Sequence, residues 1–127
     1  MKLIRLVVSD LHLGTGVPEG QLNPFEDFFY DDRFAELLEH YDRKHGPATQ
    51  IELILNGDIF DLLKVQIEGV WPTEITAEVA ERKLRQCLDG HPRFVAALKS
   101  FLARPNHRRS PPVPSGDDRR TRTAVRP

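Results

Sequence analysis

Asp10 and His12 sit two residues apart in the string Ser9-Asp10-Leu11-His12-Leu13-Gly14, just past the apolar run Leu3-Ile4-Arg5-Leu6-Val7-Val8. Residues i and i+2 of an extended segment point to the same side. An acidic oxygen and an imidazole nitrogen can therefore converge on one ion. A second string, Asn56-Gly57-Asp58-Ile59-Phe60-Asp61, follows the apolar run 51–55. Gly57 permits a tight turn and a close backbone approach, and Asp58 then projects over the same sheet edge. Asp61 can face the same pocket or orient a neighbouring histidine as its hydrogen-bond acceptor. Carboxylate plus imidazole suits a divalent transition metal. Taken singly, each string also reads as a capping aspartate beside a surface histidine, or as an ordinary turn rich in Asn, Gly and Asp. Two of them at the carboxyl ends of neighbouring strands build a metal site at the edge where open α/β sheets bind ligands.

The elements that must position these residues follow from pattern. The run 3–8 is nearly all apolar, as a parallel strand buried on both faces would be. Residues 14–30 read as a loop, with Gly14, Gly16, Pro18, Gly20 and Asn23-Pro24. Asp31 or Asp32 can cap a helix whose apolar face is Phe34, Leu37, Leu38 and Tyr41, and Gly46-Pro47 ends it. The run 51–55 is a second strand, and the strand–helix–strand order predicts parallel pairing through a right-handed crossover. Thr73 can cap a further helix with Ile75, Val79, Leu84, Cys87 and Leu88 on one side, closed by Gly90. Pro92 suits the first turn of a last helix with Phe94, Val95, Leu98, Phe101 and Leu102 on its face, and His91 reads as that helix's cap. An α/β domain should place a strand next, but the Pro- and Arg-rich string 104–114 predicts none.

Charge divides the chain at the same point. Residues 1–103 hold 11 basic and 17 acidic side chains, a net −6, whereas residues 104–127 hold seven Arg, two Asp and five Pro, a net +5. The tail has three apolar side chains, too few to offset its ordering entropy, so disorder is expected there. The single Cys87 excludes an internal disulfide and fits a reducing compartment. No apolar run reaches the ~20 residues that span a bilayer, and the N-terminus lacks a secretory signal. A cytoplasmic location is expected. The cluster Phe25, Phe28, Phe29 and Tyr30 can line a substrate mouth or pack a loop onto the domain. Residues 64–73, with Trp71-Pro72, can form a cap beside the metal site, make a partner contact or pack into the core.

Over residues 1–103 the chain resembles the N-terminal half of a calcineurin-like metallophosphoesterase. That family reads Asp-x-His, then Gly-Asp-x-x-Asp, then Gly-Asn-His-Asp or Glu, then further histidines. Asp10 and His12 match the first motif, and Gly57, Asp58 and Asp61 match the second. The resemblance implies that Asp10 and His12 bind one metal, that Asp58 bridges two, and that Asp61 acts in catalysis by pairing with the third motif's histidine. It implies a metallophosphoesterase-type α/β sandwich, begun by a parallel β-α-β unit and incomplete here. It also implies two divalent ions (Mn, Fe, Co, Ni or Zn), of which this chain keeps mainly the first site and the bridging ligand. Two cations about 3.5–4 Å apart generate a hydroxide near neutral pH and neutralise charge on phosphoryl oxygens.

The chain departs from the family pattern after residue 103. It contains no Gly-Asn-His-Asp and no later Gly-x-His pair. The expected product is therefore truncated or frameshifted, and weakly active or inactive alone. The expected function is hydrolysis of a phosphodiester, phosphomonoester or pyrophosphate, with a small molecule or sugar nucleotide as substrate. The acidic body argues against a stable nucleic-acid partner. The alternatives are a DNA-end nuclease of the same superfamily and a non-catalytic, partner-binding remnant that exposes the Phe94–Leu98–Phe101 helix face.

Overall fold

The computed structural model describes residues 2–105 and the backbone of 107–108. The element order is β1 (Lys2–Ser9), α1 (Asp31–Lys44), β2 (Thr49–Asn56), a short 3-10 turn (Leu62–Lys64), α2 (Ala77–Gly90), α3 (Pro92–Leu102) and β3 (His107–Arg108). The architecture is mixed α/β. Strands β1 and β2 pair in parallel over their full length, from Lys2 opposite Thr49 to Ser9 opposite Asn56. No helix among the described residues is long and apolar enough to cross a membrane.

The core forms on one side of this sheet. Ile4, Leu6 and Val8 of β1 and Ile51 and Leu53 of β2 pack with Phe34 and Leu38 of α1 and Phe94 and Phe101 of α3. Phe94 stacks on Phe34 at 4.3 Å between ring centres, and Phe28 meets it edge-on at 6.2 Å. Phe94 and Phe101 are buried, so the expected exposure of that helix face is not found: α1 covers it. Expectation also fails for strands buried on both faces. Along β1 only Leu6 is buried, and along β2 only Ile51. The alternate residues of β1 point away from the core, leaving Val7 61% and Leu3 45% exposed. An apolar run marks a strand that could be covered twice; here the described helices cover it once.

Two helix starts and one strand also differ from the sequence reading. Asp31 and Asp32 lie inside the first turn of α1, where their charge suits the helix dipole, and Tyr30 holds the cap position without a side-chain bond. Helix α2 starts after Thr76, not Thr73, because the Thr76 hydroxyl accepts the Val79 N–H at 3.2 Å. Ile75 therefore precedes the helix and is exposed. Pro92 opens α3 with His91 at the cap position, as expected, but the buried His91 side chain makes no cap bond. Finally, His107–Arg108 form a two-residue strand parallel to β2, opposite Ile51 and Glu52. The chain beyond Pro105 thus returns to the sheet, where no strand was expected. The expected disorder of the tail falls, from residue 109 on, outside the described residues.

Candidate metal centre

The parallel register does not stop at the strand ends. The Asp10 N–H donates to the Asn56 carbonyl (3.2 Å), the His12 N–H to the Asp58 carbonyl (3.0 Å) and the Leu13 N–H to the Ile59 carbonyl (2.9 Å). The Asp61 N–H returns to the Leu13 carbonyl at 2.9 Å. Two loops that are remote in sequence are thereby laid side by side. Leu13, fully buried opposite Phe60, pins this seam to the core. Backbone bonds thus carry Asp10, His12 and Asp58 to one place.

The backbone itself is unusual there. Asp10 and His12 have φ of 54° and 55°, and Gly57 has 66°. Left-handed geometry costs an ordinary L-residue roughly 1–2 kcal/mol, and Asp tolerates it better than most. Gly57 has a second reason to be glycine. A Cβ there would lie 2.5 Å from Asp10 Oδ1. The close approach anticipated at this glycine is made to the carboxylate of Asp10.

The side chains converge accordingly. One ligand atom each from Asp10, His12 and Asp58 lies within 4.8 Å of the other two. Asp10 Oδ1 accepts the Asp58 N–H at 3.2 Å, which orients the carboxylate. That bond, with one from the Ser9 side chain, holds the Asp10 carboxyl below its ordinary value against a desolvation cost; nearby His12 adds to the effect. His12 Nδ1 lies 3.4 Å from Asp61 Oδ2. The same Asp61 oxygen lies 3.2 Å from Lys64 Nζ, and Lys64 also grips Asp27. These two carboxylates raise the Lys64 pKa. Asp61 is therefore positioned between His12 and Lys64. The structure brings all four anticipated residues together, and Asp61 meets the histidine of the first motif.

A second cluster of the same residue types, Glu26, His91 and Asp31, was not anticipated as a unit. Glu26 is buried in the 14–30 loop, where its carboxylate accepts the N–H groups of Gly14 (3.1 Å), Gly16 (2.6 Å) and Phe28 (3.0 Å). His91 Nε2 lies 3.2 Å from Glu26 Oε2, and His91 Nδ1 lies 2.9 Å from Asp31 Oδ1. Burial pushes the Glu26 carboxyl up more strongly than any single donor lowers it. The Phe28, Gly14 and Gly16 donors and His91 together outweigh burial and leave it below its ordinary value. This cluster ties the loop after His12 to α1 and α3. Gly16 and Gly90 allow that loop to dock: a Cβ on Gly16 would meet the Gly90 carbonyl oxygen at 2.2 Å. The only signal in sequence is an acidic residue in a glycine-bracketed loop, which is too common to single out.

The cluster of four aromatic residues divides. Phe28 joins the core, while Phe25, Phe29 and Tyr30 remain exposed. Phe25 packs edge-on against Trp71 at 5.5 Å. No family model matches this chain, and no curated protein or solved structure is significantly similar to it.

Proposed function

We propose that this chain carries the first half of a metal-dependent phosphoester hydrolase centre of the calcineurin-like type. One observation carries the reading: Asp10, His12 and Asp58, from two strand ends 48 positions apart, present ligand atoms within 4.8 Å of one another. The donor set fits a divalent transition ion. Two carboxylates and an imidazole match the preference of Mn, Fe, Co, Ni or Zn for mixed oxygen and nitrogen ligands. A carboxylate beside one ring nitrogen can also orient the imidazole and leave the other nitrogen for the ion. That carboxylate is Asp61, which Lys64 holds in turn.

A divalent ion bound there supplies Lewis acidity and lowers the pKa of water, which is what hydrolysis of an anionic phosphoester requires. Asp10 and Asp58 would contribute negative charge that attracts the ion, and the resemblance implies that Asp58 would be shared by a second one. His12 completes the set, and Asp61 is a positioning residue acting through it. The substrate class that fits is a small phosphodiester, phosphomonoester or pyrophosphate. The missing Gly-Asn-His and Gly-x-His strings leave a second ion with few ligands, so turnover by this chain alone is expected to be slow.

Calorimetric titration of the 127-residue chain with Mn²⁺ or Zn²⁺ tests the reading before any turnover is sought. Saturable binding is expected, weakened at least about tenfold by Asp58→Asn, since loss of even an outer partner costs about 10–100-fold. Hydrolysis of a chromogenic phosphodiester, stimulated by the same ion and abolished by Asp58→Asn, completes the test. Equal metal affinity in the wild type and in Asp58→Asn overturns the assignment.

A further inference from the structure

A cavity of about 320 Å³ is linked to the metal cluster through one of its wall residues. Lys64, which is bonded to Asp61, forms part of its wall, and Thr15, three residues past His12, forms another. The other walls relevant here are Gln21, Gln66, Gln86 and Phe25. Three features define what this space can hold.

Charge comes first. Lys64 is paired with Asp27 and Asp61, and Glu68 is paired with Arg82 at 3.1 Å. Each charge in the wall thus already has a partner of opposite sign. Hydrogen-bonding capacity comes second. Gln66 and Gln86 are half-buried, Gln21 is exposed, and none of the three amides has a partner among the described residues. Each primary amide offers two N–H donors and a carbonyl acceptor. The third feature is a flat apolar surface, the half-exposed ring of Phe25 braced edge-on by Trp71. Neutral amides around an aromatic face are what a polar ring needs: its edge is hydrogen-bonded and its face is stacked.

We propose that this cavity takes the uncharged polar ring of the substrate, a sugar or a heterocyclic base, while the attached phosphoester lies at the metal cluster. The two ring types share the recognising chemistry, and direct titration separates them. The proposal rests on the hydrolase reading for the phosphoester alone, so its test is run without metal.

Trp71 is the chain's single tryptophan, and its emission reports on the Phe25 side of the cavity. The metal-free chain is titrated with uridine, adenosine, glucose and N-acetylglucosamine at millimolar concentrations. A saturable change with the nucleosides assigns a base, and one with the sugars assigns a sugar. Gln66→Leu and Gln86→Leu should each weaken that affinity by about twofold to tenfold, the worth of one hydrogen bond. Phe25→Ala, at a half-exposed ring, should weaken it by a second route. No saturable change with any of the four probes overturns the proposal. So does unchanged affinity in all three variants with native circular dichroism. Failure of the metal titration overturns the hydrolase reading whatever the rings do, so the two failures are distinguishable.

Discussion

Among the described residues, two groupings of one histidine with two carboxylates serve opposite ends. Glu26, His91 and Asp31 point inward and saturate one another and three backbone N–H groups. Asp10, His12 and Asp58 point outward, and their ligand atoms converge with capacity to spare. Residue type is therefore no guide to role. A buried carboxylate must be matched by donors or it destabilises the fold. An exposed cluster of carboxylates is tolerated by water and is free to take a cation. The first grouping holds the loop that the second depends on.

The largest effect expected from breaking this contrast is on stability, at the inner grouping. Glu26→Ala leaves three backbone N–H groups and His91 without their acceptor. It should lower unfolding free energy by about 3–5 kcal/mol in a denaturant titration, as removal of one partner from a buried pair does. That is a large share of the roughly 5–15 kcal/mol available to a small domain. A change below about 1 kcal/mol would show that the inner grouping does not hold the loop.

Acid probes the same site without mutation. The Glu26 carboxyl is held below its ordinary value of 4.5 in the folded chain. The stability it contributes is complete above that pH and is lost as pH falls through the folded value. Thermal melts should be flat in this respect from neutrality down to about 4.5 and should drop below it. Glu26→Gln should flatten the drop.

Gly57→Ala comes next. It forces a Cβ into the left-handed region and towards Asp10 Oδ1. The expected loss is about 1–2 kcal/mol, with weaker metal binding because the Asp10 carboxylate must move aside. The smallest stability effect belongs to Asp58→Asn, within about 0.5 kcal/mol of wild type, as for an exposed substitution. The pairing of Glu26→Ala with Asp58→Asn is thus the sharpest form of the comparison: one should destabilise the fold, the other should spare the fold and weaken metal binding.

The outer grouping was legible in sequence, and the inner one was not. Asp10, His12, Gly57 and Asp58 each lie within a few residues of an apolar run, so the strand register brings them to one edge, and the left-handed turns and backbone bonds beyond it complete the placement. Glu26 and His91 are 65 positions apart, and nothing local to either marks the other. The helix faces were readable from spacing, because Phe34, Leu38, Phe94 and Phe101 recur at helical intervals. The cap at Thr76 was not, because Thr73 and Thr76 offer the same hydroxyl and only the folded path selects between them.

By itself, the sequence determined where apolar segments begin and end, and hence that the two strings with Asp10, His12 and Asp58 would sit at strand termini. Pairing is short-ranged and periodic, so its signature survives in one dimension. Only the tertiary structure decided that the described helices cover one face of the sheet, that Asp61 meets His12 and Lys64, and that Glu26 turns inward to His91. Those outcomes depend on contacts between segments distant in the chain, and their energy is set by burial and donor geometry that no local pattern encodes.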